Sequence, residues 1–66
     1  MKIIKTGKIL RMLKKDGWYM VHQKGSHRQF AHPFKKGKVT VNGKPSDDTW
    51  GGDELKSIEK QSGIIF

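Results

Sequence analysis

The stretch Trp18-Tyr19-Met20-Val21-His22-Gln23-Lys24-Gly25-Ser26-His27-Arg28-Gln29-Phe30-Ala31-His32-Pro33 decides how the chain is read. Residues 18–23 are rich in aromatic and branched side chains, and residues 27–32 follow in an extended run, so each reads as a β-strand. Lys24-Gly25-Ser26 between them reads as a turn. Pro33 has no N–H to give to a ladder and ends the second strand. Working outward, Lys35-Lys36-Gly37 reads as a second turn. Residues 38–42 read as a third strand, with Val39 and Val41 on one face and Lys38 and Thr40 on the other. The short turns make the three strands an antiparallel meander.

On the N-terminal side, Ile9, Leu10, Met12 and Leu13 form one stripe at the helical period, with Lys8, Arg11, Lys14 and Lys15 opposite. The spacing predicts a helix over residues 6–16, with Thr6 as N-cap and Gly17 at the position that ends it. Residues 42–52, with glycine, proline and acidic side chains, read as a loop. A last helix is expected over residues 54–62, with Asp53 as its N-cap, Glu54 near the positive end of its dipole and Gly63 ending it. Leu55, Ile58 and Ser62 share one face, but the stripe is narrow and Glu59 lies beside it. The tail Ile64-Ile65-Phe66 is therefore a source of further core surface or of a partner contact. The predicted order is α-β-β-β-α, a single α+β domain over residues 1–66. Both helices cover one face of a three-stranded antiparallel sheet, the two-layer arrangement of double-stranded-RNA-binding domains.

The chain has 66 residues and no cysteine, so a small apolar core must hold it without disulfides. A cysteine-based zinc site is excluded, and the three scattered histidines do not match a usual zinc spacing, so no cofactor or metal is expected. Ile3-Ile4 is too short for a signal-peptide core. No stretch approaches the roughly 20 apolar residues of a membrane helix, so a cytoplasmic location is expected. Fourteen Lys and Arg against six Asp and Glu leave a net charge of +8. Such a charge on so small a domain favours a polyanionic partner, nucleic acid above all.

His27 is the residue singled out for chemistry. It starts a strand directly after a Gly-Ser turn, where the sheet can hold it while leaving it open to a substrate. Histidine titrates near neutrality and can take or give a proton. RNA carries its own nucleophile, the 2′-hydroxyl, so cutting it requires no metal if a base, an acid and positive charge are in place. Lys24 and Arg28 are close in sequence, and the turn holding Lys36 and Lys38 is expected to approach. His22 reads as structural or as a substrate contact, and His32 as the holder of a local hydrogen bond. Trp18 and Phe30 read as core. Whichever of Trp18 and Tyr19 faces out is available to stack on a base. There is no GxGxxG, P-loop or HExxH pattern. Asp47-Asp48 reads as a turn or cap rather than a catalytic carboxylate pair.

Gly17-Trp18, Gln23-Lys24-Gly25-Ser26-His27-Arg28-Gln29-Phe30, His32-Pro33 and Gly37-Lys38-Val39-Thr40-Val41 together resemble the HicA family, toxins of type II toxin–antitoxin systems. Gly43-Lys44-Pro45-Ser46-Asp47-Asp48, Leu55-Lys56-Ser57-Ile58 and Lys60-Gln61-Ser62-Gly63-Ile64 look like the family's C-terminal half, so the resemblance spans nearly the whole chain. It implies an endoribonuclease acting on mRNA, with His27 as the catalytic histidine and Gly25 and Ser26 shaping its turn. Lys24, Arg28, Lys36 and Lys38 are the cations that would hold phosphates. The resemblance also implies a HicB-type antitoxin covering His27, with DNA contacted only indirectly through that antitoxin. The chain departs from the family's pattern at Val41-Asn42-Gly43-Lys44, which lacks a histidine many members carry, and at Glu59, where an apolar residue is common. A non-catalytic RNA-binding module of the same fold is the alternative reading.

Overall fold

A computed structural model describes residues 3–66; Met1 and Lys2 of the domain expected over residues 1–66 lie outside the described residues. The elements run β1 (Ile3–Lys5), α1 (Thr6–Asp16), β2 (Tyr19–Lys24), β3 (His27–Ala31), β4 (Val39–Val41), β5 (Asp48–Trp50) and α2 (Asp53–Ser62). The predicted α-β-β-β-α order and the antiparallel sheet β2-β3-β4 are both present. Phe30, Val39 and Val41 form the sheet's buried face and join Ile9 and Leu13 of α1, Leu55 and Ile58 of α2, and Trp18 in one core. The tail completes it: Phe66 is buried and Ile64 packs against the cluster. Glu59, which looked misplaced beside an apolar stripe, accepts a 2.8 Å hydrogen bond from the Phe66 N–H and so holds that tail in place.

Two short strands frame this unit and correct the reading of residues 42–52 as loop throughout. β1 and β5 pair antiparallel, with Ile4 opposite Thr49 and Lys5 opposite Asp48. A 2.8 Å ion pair joins Lys5 Nζ to Asp48 Oδ1. This pairing also explains why Thr6 is not the N-cap. β1 runs straight into α1, so Thr6 lies inside the helix, and its buried hydroxyl meets that of Thr49 at 2.9 Å. The free N–H groups of the first turn are met by the β4–β5 loop instead: Thr6 N–H donates to the Asp47 carbonyl and Gly7 N–H to the Pro45 carbonyl, both at 2.9 Å. A Cβ on Gly7 would come within 3.0 Å of the Pro45 carbonyl oxygen, so glycine permits this approach. Asp53 is likewise the first residue of α2 rather than its cap, which falls on Gly52. Its carboxylate still lies in the first turn with Glu54, where the dipole favours negative charge. Gly17 and Gly63 end the two helices in the left-handed conformation, as expected.

The turn after β3 is fastened to both helix ends. His32 Nε2 donates to the Asp16 carbonyl at 2.7 Å, and its Nδ1 accepts from the N–H groups of Phe34 and Lys35. These partners assign the tautomer. Lys35 Nζ lies 2.7 Å from Asp16 Oδ2 and donates to the Ser62 carbonyl at 3.1 Å, so one cation serves the C-terminal ends of α1 and α2. The hydrogen bond from Lys35 is the main cause holding the Asp16 carboxyl below its ordinary value; burial acts against it, while the Lys35 charge and the Trp18 indole N–H add to the lowering. A lowered carboxyl pKa contributes stability that is present above the unfolded value and lost as the pH falls through the folded one. Wild type should therefore be more stable than Asp16→Asn at neutral pH. The gap should close below about pH 4, the ordinary carboxylate range, and narrow in high salt. Denaturant titrations of both proteins across that range check this; an undiminished gap at pH 2 would remove ionisation as its origin.

Candidate active site

The site lies on the sheet face that the helices leave uncovered. Side chains alternate across a strand, and the register sorts them. Phe30 and Val39 face the core in one row, with Met20 at its exposed edge, whereas His22, Gln29 and Thr40 form a row on the open face, with Lys24 paired to His27 beside it. An open depression of about 770 Å³ on this face is lined by His22, Lys24, Gly25, Ser26, His27, Gln29 and Thr40.

The β2–β3 turn positions His27. Gly25 has φ +58°, and no residue other than glycine has a positive φ among the described residues, so Ser26 keeps an ordinary backbone. A glycine of positive φ followed by a residue of negative φ is the pattern of the two-residue type II′ hairpin turn, whose twist matches that of the strands it joins. Lys24 and His27 are therefore directly opposed at the first rung, with Cβ atoms roughly 4.5–5.5 Å apart as such pairs stand. The imidazole is exposed, and the lysine places positive charge beside it. Among the described residues, no atom beyond the glycine's own chain neighbours lies within 4 Å of where a Cβ on Gly25 would sit, so it is the backbone that opposes substitution there. Gly25→Ala should cost about 1–2 kcal/mol, read by chemical denaturation. Relaxation of the strained turn would also move His27 at its first rung, so any His27-dependent activity should fall further than the lost stability alone accounts for.

Of the residues marked from sequence, the fold gathers Lys24, Gly25 and Ser26 around His27 and sets the rest elsewhere. Arg28 points to the opposite face, as its neighbour Phe30 two residues on requires. It is part-buried, lines an apolar groove with Leu10, Met20 and Trp18, and hydrogen-bonds the Gly43 carbonyl, which pins the loop after β4. Lys36 and Lys38 are exposed at the other end of β3, four residues from His27 along the strand, roughly 13 Å at a strand's rise. The expected approach of that turn to His27 does not occur, because His32 and Lys35 tie it to the helix ends. Trp18 is buried and Tyr19 is about half exposed, so of the two it is Tyr19 that faces out. Asp47 acts in a turn, its Oδ2 accepting from the Lys44 N–H, as the acidic pair suggested.

His22, read from sequence as structural or as a substrate contact, stands on the open face, which the strand pattern alone did not reveal. The pairing shifts between Met20 and His22, which leaves Val21 as an extra residue in β2. In a regular strand His22 would share Met20's inward face. The bulge turns it to the open face, into the same depression as His27. Met20 and Val21 are adjacent apolar residues in a strand exposed along its length, so no strict apolar–polar alternation marks the change of phase.

A family model described as the HicA toxin of bacterial toxin-antitoxin matches residues 7–64. No curated protein matches the chain. Among the described residues, no helix is long and apolar enough to cross a membrane.

Proposed function

The chain belongs to the HicA toxin family of bacterial toxin–antitoxin systems, and from that premise we propose that it is an endoribonuclease that cleaves mRNA with His27 as a proton-transferring group and without a metal. The observation that carries this reading is an exposed imidazole paired across the hairpin with Lys24, in a depression on the uncovered sheet face. In-line attack of a 2′-hydroxyl on its neighbouring phosphate needs a proton removed and negative charge offset. His27 suits the first need and Lys24 the second. The overall charge of +8 draws the RNA in. Lys36 and Lys38, at the far end of β3, suit a phosphate further along the RNA strand rather than the scissile one. Such contacts position RNA without reading its sequence. Arg28, on the other face of the sheet, holds the loop after β4 through the Gly43 carbonyl rather than a phosphate.

Transcripts are met in the cytoplasm, which is where this activity belongs. A HicB-type antitoxin seated over the open face would cover His27 and silence it, and any DNA contact would be the antitoxin's. The experiment is direct: a labelled RNA is incubated with purified wild type and with His27→Ala, both in chelator, and its binding is measured separately. Cleavage by the wild type that is lost in the variant, with binding kept, supports the reading. RNA binding without cleavage by either would return the chain to the binding-module alternative.

A further inference from the structure

We infer that His22 is the second proton-transferring residue of this site, facing His27 across the scissile phosphate; this rests on the nuclease reading above. His22 is opposed to Gln29, and His27, two residues before Gln29, is opposed to Lys24. The two histidines are therefore diagonal neighbours on one sheet face, a relation that sets residues roughly 7–8 Å apart. Side chains rising from such positions stand side by side on the face, where one phosphate group can take a hydrogen bond of about 2.6–3.2 Å from each ring. Both rings are exposed, and both line the same depression. The bulge at Val21 is what creates the pair, since without it His22 would face the helices. Bulges of this kind re-aim a side chain beside active sites.

One histidine alone leaves the reaction half served. Cleavage by the 2′-hydroxyl requires a base to take its proton as the 2′-oxygen bonds to phosphorus. It also requires an acid to protonate the 5′-oxygen as the P–O5′ bond breaks. The products are a 2′,3′-cyclic phosphate and a 5′-hydroxyl end, with one proton taken up and one given. Two imidazoles of opposite protonation supply both transfers without a co-reactant. The lining of the depression holds His22, His27 and Lys24 as its titratable groups; Gln29, Thr40 and Ser26 are neutral. Lys24 brings a cation to the phosphate.

The test compares wild type with His22→Ala, His22→Gln and His27→Ala on one RNA oligonucleotide, recording kcat and KM against pH. Thermal melts confirm folding, which substitution on an exposed strand position should leave intact. We expect a bell-shaped kcat profile for wild type. Both His22 variants should lower kcat by about 10²–10⁴-fold with little change in KM, and should lose one limb of the bell. A His22 that merely binds substrate would raise KM and leave kcat and both limbs in place, which would overturn the inference while leaving His27 untouched. Wild type that cuts no RNA would instead remove the nuclease reading, and this inference with it; His27→Ala that cuts as well as wild type would remove the role of His27 and overturn the pairing of the two histidines.

Discussion

His27→Ala should lower the rate of RNA cleavage by about 10²–10⁴-fold, the usual contribution of one general acid or base, while leaving the fold and RNA affinity nearly unchanged. Three separate placements make these effects separable. The ring is exposed at the first rung of a hairpin, so its loss opens no cavity, and stability should shift by no more than about 0.5 kcal/mol. The charge that attracts RNA is spread over fourteen lysines and arginines, none of which is altered. The chemistry, by contrast, falls on one face and on few groups. Steady-state kinetics with saturating RNA, a binding titration and a thermal melt read the three quantities independently. In cells, the variant should permit growth when expressed without antitoxin, and transcripts should stay intact. A folded variant that cuts RNA at the wild-type rate would sink the assignment of His27. A variant that loses binding and cleavage together would make His27 an anchoring residue rather than a chemical one.

What sequence could reveal here was whatever is decided locally. α1 was legible because its apolar stripe repeats at the helical period and glycine stands just beyond its end. The hairpin was legible because Gly25-Ser26 separates two extended runs, and its turn placed His27 correctly at a strand start. The missed features depend on partners distant in the chain. β1 and β5 are three residues each and carry no pattern of their own; they exist because Ile4 meets Thr49 and Lys5 meets Asp48. Thr6 has the right chemistry for a cap, but that pairing draws the chain into the helix one residue earlier, and carbonyls of the β4–β5 loop take over the capping. Arg28 looked like a phosphate ligand because it follows His27. Strand alternation sends it to the opposite face for the same reason. His22 was obscured by a single extra residue, since one step of register exchanges the two faces of a strand.

Trp18→Ala should unfold most of the protein when it is purified alone. Trp18 is 2% exposed and stands between α1 and the sheet. Its ring meets the edge of His32 at 5.1 Å, and its Nε1 donates to Asp16 Oδ2 at 3.2 Å. Its own N–H closes the end of α1 on the Leu13 carbonyl at 3.0 Å. Removing a buried indole typically costs about 3–5 kcal/mol. A domain below 70–80 residues with no disulfide or metal rarely has more than about 3–5 kcal/mol in total, so the loss is of the size of the whole. Denaturant unfolding followed by circular dichroism should show no cooperative transition for the variant at 37 °C, whereas Trp18→Phe, which keeps a ring against His32, should still unfold in one step. An antitoxin that binds the folded toxin and not the unfolded chain adds about 2.7–4.1 kcal/mol at 100–1,000 times its dissociation constant, enough to offset most of the deficit. Trp18→Ala should therefore be recovered folded when co-expressed with the antitoxin and should unfold once separated from it. If the isolated variant melts within about 1 kcal/mol of wild type, Trp18 is not the centre of this core, and the link drawn between the end of α1, the His32 turn and the sheet is wrong.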